Sequence, residues 1–285
     1  FGDMKSWLPD LLANVVEKQA QRSFVPPQGP FPTATQRELG LEAMQMLGFD
    51  FNGGRLDVSA HPFCGGVPED VRITTRYDED ELLSALFGVI HETGHARYEQ
   101  GLPAKWRGQP AGEARSMGIH ESQSLFFEMQ LARHPAFLRK MAPLIKQHFG
   151  EQPALEAENL IQLYSRIEPG FIRVDADELT YPAHIIMRFE IEQALIEDKI
   201  QVCDLPEVWN TKMQQYLGLS TKGNDAMGCM QDIHWTDGSF GYFPSYTLGA
   251  IYAAQFAGAI ERDIGDIGEL IAADDGLGQI FGWLK

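Results

Sequence analysis

The chain is short of three things, and each shortage narrows what it can be. Cysteine is sparse: Cys64, Cys203 and Cys229 are the only three in 285 residues, with no short spacing between them. Such an odd set suggests no disulfide framework and no thiolate metal site, and it suits a reducing, cytoplasmic compartment. Long apolar runs are missing as well. None reaches the roughly 18 residues of a membrane span, and no cationic leader with an apolar core opens the chain. Positive charge is the third scarcity: 23 Lys and Arg stand against 40 Asp and Glu, a formal net charge of −17. Phosphate binding calls for clustered cations, so the balance argues against a nucleic-acid partner and for a solvated acidic surface.

What is present starts at His91-Glu92-Thr93-Gly94-His95. An H-E-x-x-H run within a helix sets both imidazoles one turn apart on one face, where they can grip a single Zn²⁺, with the intervening Glu near the open coordination position. The acidic run Asp78–Glu81 followed by Leu82, Leu83, Leu86, Phe87, Val89 and Ile90 predicts a helix over about 79–100, closed by Gly101-Leu102-Pro103. Both histidines fall well inside it.

A catalytic zinc usually takes three protein ligands plus water. The candidate third ligand is Glu121, in Gly118-Ile119-His120-Glu121-Ser122-Gln123, on a second helix predicted over about 113–133. Adjacent helical residues point about 100° apart, so only one of His120 and Glu121 can face the metal. From the residues alone His120 stays a rival. The His₂Glu set familiar in thermolysin-like peptidases favours Glu121.

Periodicity elsewhere is mostly helical. Residues 3–20 carry an apolar stripe through Met4, Trp7, Leu8, Leu11, Leu12, Val15 and Val16, and Thr35-Gln36-Arg37-Glu38 reads as a capping box opening a helix that ends near Gly48. Further helices are predicted at about 135–149, 153–168, 182–199, 206–217, 239–263 and 266–273. Segments 55–59 and 71–77 alternate as strands do, predicting a small antiparallel β-sheet beside the metal helix. No internal repeat, low-complexity tract or separating linker is visible. The expectation is one mainly α catalytic domain spanning 1–285.

Six segments in order resemble the carboxypeptidase Taq family of metallocarboxypeptidases. They are His61-Pro62-Phe63, Asp70-Val71-Arg72-Ile73-Thr74, His91 to His95, His120 to Gln123, Ile172-Arg173-Val174-Asp175-Ala176-Asp177, and Gly228 to Trp235. The resemblance implies a helical zinc-peptidase fold with a deep cleft, one Zn²⁺ or Co²⁺ per chain on His91, His95 and Glu121, and Glu92 as general base. It further implies release of single residues from the free C-terminus of peptides with broad specificity, and a homodimer. Arg173 takes the position associated with the substrate's terminal carboxylate. His234, Tyr242 and Tyr246 fall where cleft-lining residues are expected, and His61 is placed with them as substrate-binding. Arg72, on the second strand segment, would line the cleft too, with a solvated strand face as the alternative.

Two departures stand out. Family members are longer, so the chain is expected to lack most of their N-terminal helical portion. Tyr181-Pro182-Ala183-His184 also carries a proline, which reads as a helix start.

Read from the residues, the chemistry is an activated water attacking a carbonyl, with His234 or Tyr246 as candidate oxyanion donors. Arginine suits carboxylate recognition because its planar fork offers two parallel N–H donors. A structural pair of Arg173 with Asp175 or Asp177 is the alternative. An oligopeptidase with the same metal, an inactive metal-binding fragment and a metal-free helical scaffold are the competing functions.

Overall fold

The computed structural model describes all 285 residues. Its helices are α1 (Met4–Gln19), α2 (Thr33–Met46), α3 (Ser84–Gly101), α4 (Met117–Leu125), α5 (Pro135–Phe149), α6 (Ala157–Tyr164), α7 (Tyr181–Ile196), α8 (Leu205–Leu217), α9 (Pro244–Asp263), α10 (Ile267–Ala272) and α11 (Gly276–Trp283). Strands β1 (Gly54–Val58), β2 (Cys64–Val67) and β3 (Asp70–Thr75) form one sheet in the order β1-β3-β2. The chain divides into two compact units. One holds Phe1–Ser23 and Arg166–Thr247, the other Phe24–Ser165 and Leu248–Lys285.

In the unit built from Phe1–Ser23 and Arg166–Thr247, α7 and α8 share a core. Ala183, Ile186, Met187 and Ile191 pack with Trp209, Met213, Tyr216 and Leu217, and α1 adds Leu8. The apolar stripe of α1 is only partly used: Leu8 and Leu12 are buried, while Trp7 and Leu11 are 47% and 42% exposed. Pro182 does sit in the first turn of α7, where its missing N–H leaves no intrahelical bond unmade.

In the other unit, α3 is the central element. Its residues Ala85, Leu86, Phe87, Val89 and Ile90 are buried. Leu86, Phe87 and Ile90 share a core with Leu39 and Ala43 of α2 and with Phe126 and Phe127, while Val89 packs with Leu56, Val71 and Ile73 of the sheet. The acidic run ahead of it forms a turn and not the first helical turn. Asp78 Oδ1 accepts from the Asp80 amide, and Glu79 Oε1 accepts from the Thr33 amide, so the helix begins only at Ser84. The capping box expected at Thr35 is likewise absent. α2 starts three residues earlier, with Pro32 at the N-cap position and no side-chain cap.

The sheet corrects one expectation. The two segments read as strands pair in parallel, Leu56 beside Ile73, and the antiparallel partner of β3 is β2, so the sheet is mixed. β2 reads Cys64-Gly65-Gly66-Val67, and its two glycines remove both β propensity and alternation. Helix α4 continues as a π-helical stretch, Phe126–Ala132, with Phe126, Phe127, Leu131 and Ala132 buried. A Cβ on Gly94 of α3 would stand 2.6 Å from Ser124 Cα and 2.7 Å from the Gln123 carbonyl oxygen. Only glycine lets these two backbones approach so closely.

Candidate metal centre

On α3, the 3.6-residue repeat brings His91 and His95 onto one face, with ring centroids 5.0 Å apart. Glu121 comes from α4, held close by the Gly94 approach. Its Oε1 lies 3.9 Å from His91 Nε2 and its Oε2 3.4 Å from His95 Nε2. One ligand atom from each of the three residues falls within 4.8 Å of the others. Ligands about 2.0–2.2 Å from a tetrahedral ion stand roughly 3.4 Å apart, so the cluster is near the size a divalent ion needs.

Glu92 adds a second sign of fit. It is 6% exposed, and its Oε2 is buried with no protein partner. A buried carboxylate oxygen without a partner is costly, and a bound polar group would relieve it.

The outward nitrogens of the two histidines are also engaged. His91 Nδ1 is 2.9 Å from Glu128 Oε2, on the π-helical stretch, and Glu128 in turn accepts from Arg133 Nη2 at 3.3 Å. His95 Nδ1 lies 2.7 Å from His120 Nδ1, whose Nε2 is 2.8 Å from Glu99 Oε1. His120 thus stands behind His95 and outside the three-residue cluster. Of the two candidates for a third ligand, Glu121 and not His120 is the one grouped with His91 and His95.

Electrostatics follow from this packing of acids around imidazoles. Burial pulls His91 down, but Glu128 and Glu121 outweigh it and hold the ring up to about 10. Burial pushes Glu92 up to about 7, with Glu121 and Glu128 adding and His91 opposing. Burial would also raise Glu121, yet its contact with His95 and the charge of His91 keep it below the ordinary carboxylate range. His95 is lowered, first by burial. Nearby Cys64 is pushed up to about 12 by burial and by Glu92 and Glu99, so it is a packed thiol and not a reactive one.

A separate cluster sits in the unit containing Arg166–Thr247. Asp232 bridges two buried guanidiniums: its Oδ1 accepts from Arg173 Nε at 2.8 Å and its Oδ2 from Arg188 Nε at 2.6 Å. Arg173 Nη1 also donates to Tyr181 Oη at 3.0 Å, and its guanidinium lies 4.8 Å from the Tyr246 ring centroid. Arg188 is fully buried over the Trp209 ring at 4.5 Å and donates to Gln231 Oε1. His234 Nε2 is 3.0 Å from Tyr246 Oη, with the Tyr242 ring 5.5 Å from its own.

Arg173, His234, Tyr242 and Tyr246 are therefore brought together. The arginine's acidic partner is Asp232 and not Asp175 or Asp177. Asp177 instead accepts the backbone amides of Glu168, Leu179 and Thr180. His61 and Arg72 belong to neither cluster. His61 is exposed, and Arg72 forks onto Asp70 on an open strand face.

Sequence reasoning missed Glu128 and Glu99, and it read His120 only as a rival ligand and not as a hydrogen-bond neighbour of His95. Glu128 did carry a signal. It lies seven residues after Glu121, two turns along one helical face.

Gly249 of α9 seals the cluster from behind: a Cβ there would sit 2.8 Å from both Cβ and Cγ of Glu121. Alanine gains about 1 kcal/mol of helix propensity, but overpacking costs about 1–3 kcal/mol, and the atoms struck are the stem of Glu121 and not a flexible tip. Gly249→Ala is expected to lower the melting temperature of the apo protein and weaken Zn²⁺ binding. A melting temperature at or above the parent's would contradict the contact.

Comparison with known proteins agrees on one family. The profile for the carboxypeptidase Taq (M32) metallopeptidases matches residues 1–285. Carboxypeptidase 1 of Bacillus subtilis (strain 168) is 46% identical over 278 residues, covering 95% of this chain and 54% of that protein. Thermostable carboxypeptidase 1 of Thermus thermophilus is 41% identical, covering 94% and 52%. Among solved structures, Trypanosoma cruzi metallocarboxypeptidase 1 superposes with a TM-score of 0.94 at 50% identity, covering 99% of this chain and 59% of that one. The chain spans about half the length of the curated relatives it matches.

Proposed function

Since the chain belongs to the carboxypeptidase Taq (M32) metallopeptidases, we propose that it is a metal-dependent carboxypeptidase that removes single residues from the free C-terminus of peptides, with broad side-chain preference. The observation that carries this reading is the His91–His95–Glu121 cluster with the unpartnered buried Oε2 of Glu92 beside it. One divalent ion, Zn²⁺ or Co²⁺, would be held by His91 Nε2, His95 Nε2 and a Glu121 oxygen, both metals accepting an N₂O set. Such an ion lowers the pKa of water and polarises a carbonyl. Glu92 is the base that takes the proton from the attacking water and, as an acid, returns it to the leaving amine. Glu128 keeps His91 oriented through Nδ1.

Arg173 is assigned to the terminal carboxylate of the substrate. Its Nε is tied to Asp232, which fixes the plane of the guanidinium, and two cations against one carboxylate leave that buried cluster with a positive excess. His234, Tyr242 and Tyr246 are assigned to substrate contact, with His234 or Tyr246 as oxyanion donor. His61 and Arg72 are kept as outer substrate contacts. We retain 1–285 as one catalytic domain, a homodimer as its assembly, the cytoplasm as its compartment and no nucleic-acid partner, the last supported by the charge of −17. No helix is long and apolar enough to cross a membrane.

The test is release of C-terminal amino acids from a model peptide and from its C-terminal amide, with the metal present and after chelation. The free acid should be cleaved far faster, and only with metal. Equal rates on acid and amide would replace this reading with an oligopeptidase.

Arg173→Ala sharpens the test. A hydrogen bond to a charged group is worth about 1.5–3 kcal/mol, so kcat/KM on free-acid peptides should fall about 10- to 100-fold. Hydrolysis of the amide should barely change, and a uniform loss on both would refute the assignment.

A further inference from the structure

Behind the metal cluster lies an arrangement that its three ligands do not account for. His95 Nδ1 faces His120 Nδ1 at 2.7 Å, and His120 Nε2 faces Glu99 Oε1 at 2.8 Å. We propose that His120 and Glu99 are positioning residues that fix the tautomer of His95, holding its Nε2 lone pair free for a metal ion. The proposal rests on the metal reading above and deepens it.

The logic runs from the far end of the chain of bonds. An ionised carboxylate only accepts, so Glu99 obliges His120 to carry a proton on Nε2. A neutral imidazole has one N–H, which leaves His120 Nδ1 as an acceptor. His95 must then donate from its own Nδ1, and its Nε2 is left bare on the side of Glu121. That bare nitrogen is the one a metal requires.

Without the relay the opposite tautomer is well served. A proton on His95 Nε2 would point toward Glu121 Oε2, 3.4 Å away, and occupy the coordinating lone pair. The relay therefore opposes a competing arrangement that the site itself offers. His91 needs no such chain, because Glu128 accepts directly from its Nδ1.

Packing supports a fixed ring. The His120 side chain is 13% exposed, between the His95 ring at 4.7 Å and the Tyr98 ring edge-on at 5.2 Å. Its main-chain position, one residue before Glu121, couples the relay to the third ligand through α4. Glu99 lies on α3, four residues and one turn after His95, so both ends of the relay stand on the helix that bears the histidine pair.

Zn²⁺ affinity, read by competition with a chromophoric chelator, tests the proposal without recourse to activity. His120→Leu removes the acceptor and should weaken Zn²⁺ binding about 10- to 100-fold, as removal of such partners typically does. His120→Asn places its Oδ1 near the lost Nδ1 and should recover most of the affinity. Glu99→Leu, one residue further out, should weaken binding several-fold, and it keeps the test open should His120→Leu fail to fold. Apo melting curves show which variants are folded.

Nitrogen-15 spectra of the Zn²⁺-loaded parent give an independent reading: His120 is expected to carry its proton on Nε2 and His95 on Nδ1. Parent-like affinity in folded His120→Leu or Glu99→Leu, an Asn variant as weak as the Leu variant, or an Nδ1 proton on His120 would overturn the relay. A parent that binds no Zn²⁺ would overturn the metal reading along with it.

Discussion

Glu92→Gln is expected to retain Zn²⁺ and lose hydrolysis. The change is nearly isosteric and replaces one carboxylate oxygen with an amide, so the buried pocket around Glu92, 6% exposed, keeps its shape. None of the atoms grouped for the metal belongs to it. What disappears is the capacity to accept a proton from water and hand it on, and a positioned acid–base group is worth about 10²–10⁴-fold in rate. Turnover should fall by that factor at equal metal content, measured by elemental analysis beside amino-acid release. A variant with full metal and full activity would remove Glu92 from the chemistry. Loss of metal and activity together would make it a structural group instead.

The second large effect concerns stability. Asp232 is the sole carboxylate bridging Arg173 and Arg188, and all three side chains are at most 8% exposed. Asp232→Ala strands two guanidiniums beside each other in a buried setting, for which losses of about 3–5 kcal/mol are typical. Urea unfolding near neutral pH should show that loss in the unit containing Arg166–Thr247. Replacing the whole buried ion set with apolar groups is often close to neutral, so Asp232→Leu combined with both Arg173→Met and Arg188→Met should recover much of it.

The pH dependence has a definite sign. Burial would raise the Asp232 carboxyl, but Arg188 and Arg173 hold it below its ordinary value. Its contribution is therefore complete above the unfolded value of about 3.9 and is lost as pH falls through the lower folded one. Parent and Asp232→Ala should converge in stability as pH drops below about 3.9. A gap that stays constant into acid would show that the carboxylate's charge was not what mattered.

How far the site could be read in advance depended on sequence distance. His91, Glu92 and His95 share one helix, and a helical repeat is enough to align them. Glu121 needed the return of a second helix, and the residues alone could not separate it from His120. The family resemblance favoured it, and the close approach at Gly94 is the physical reason it arrives. Arg173 was picked out, but its partner Asp232 lies 59 residues away, and nothing local prefers it over Asp175 or Asp177.

In the fold, α5 was legible to the residue because proline opens it and glycine closes it. α11 was missed. Its Gly276, Gly278 and Gly282 speak for a loop, and burial of Leu277, Ile280 and Phe281 overrides them. The parallel pairing of β1 with β3 could not be foreseen once the glycine-built β2 between them in sequence went unrecognised.

The contact at Gly94 has an evolutionary corollary. Chains that keep this helix pair should show a narrower signature than H-E-x-x-H: the residue just before the second histidine ought to be invariant glycine. A homologue bearing any bulkier residue there must have displaced its second helix, and with it the residue matching Glu121. Surveying that single column across relatives would thus sort intact centres from eroded ones.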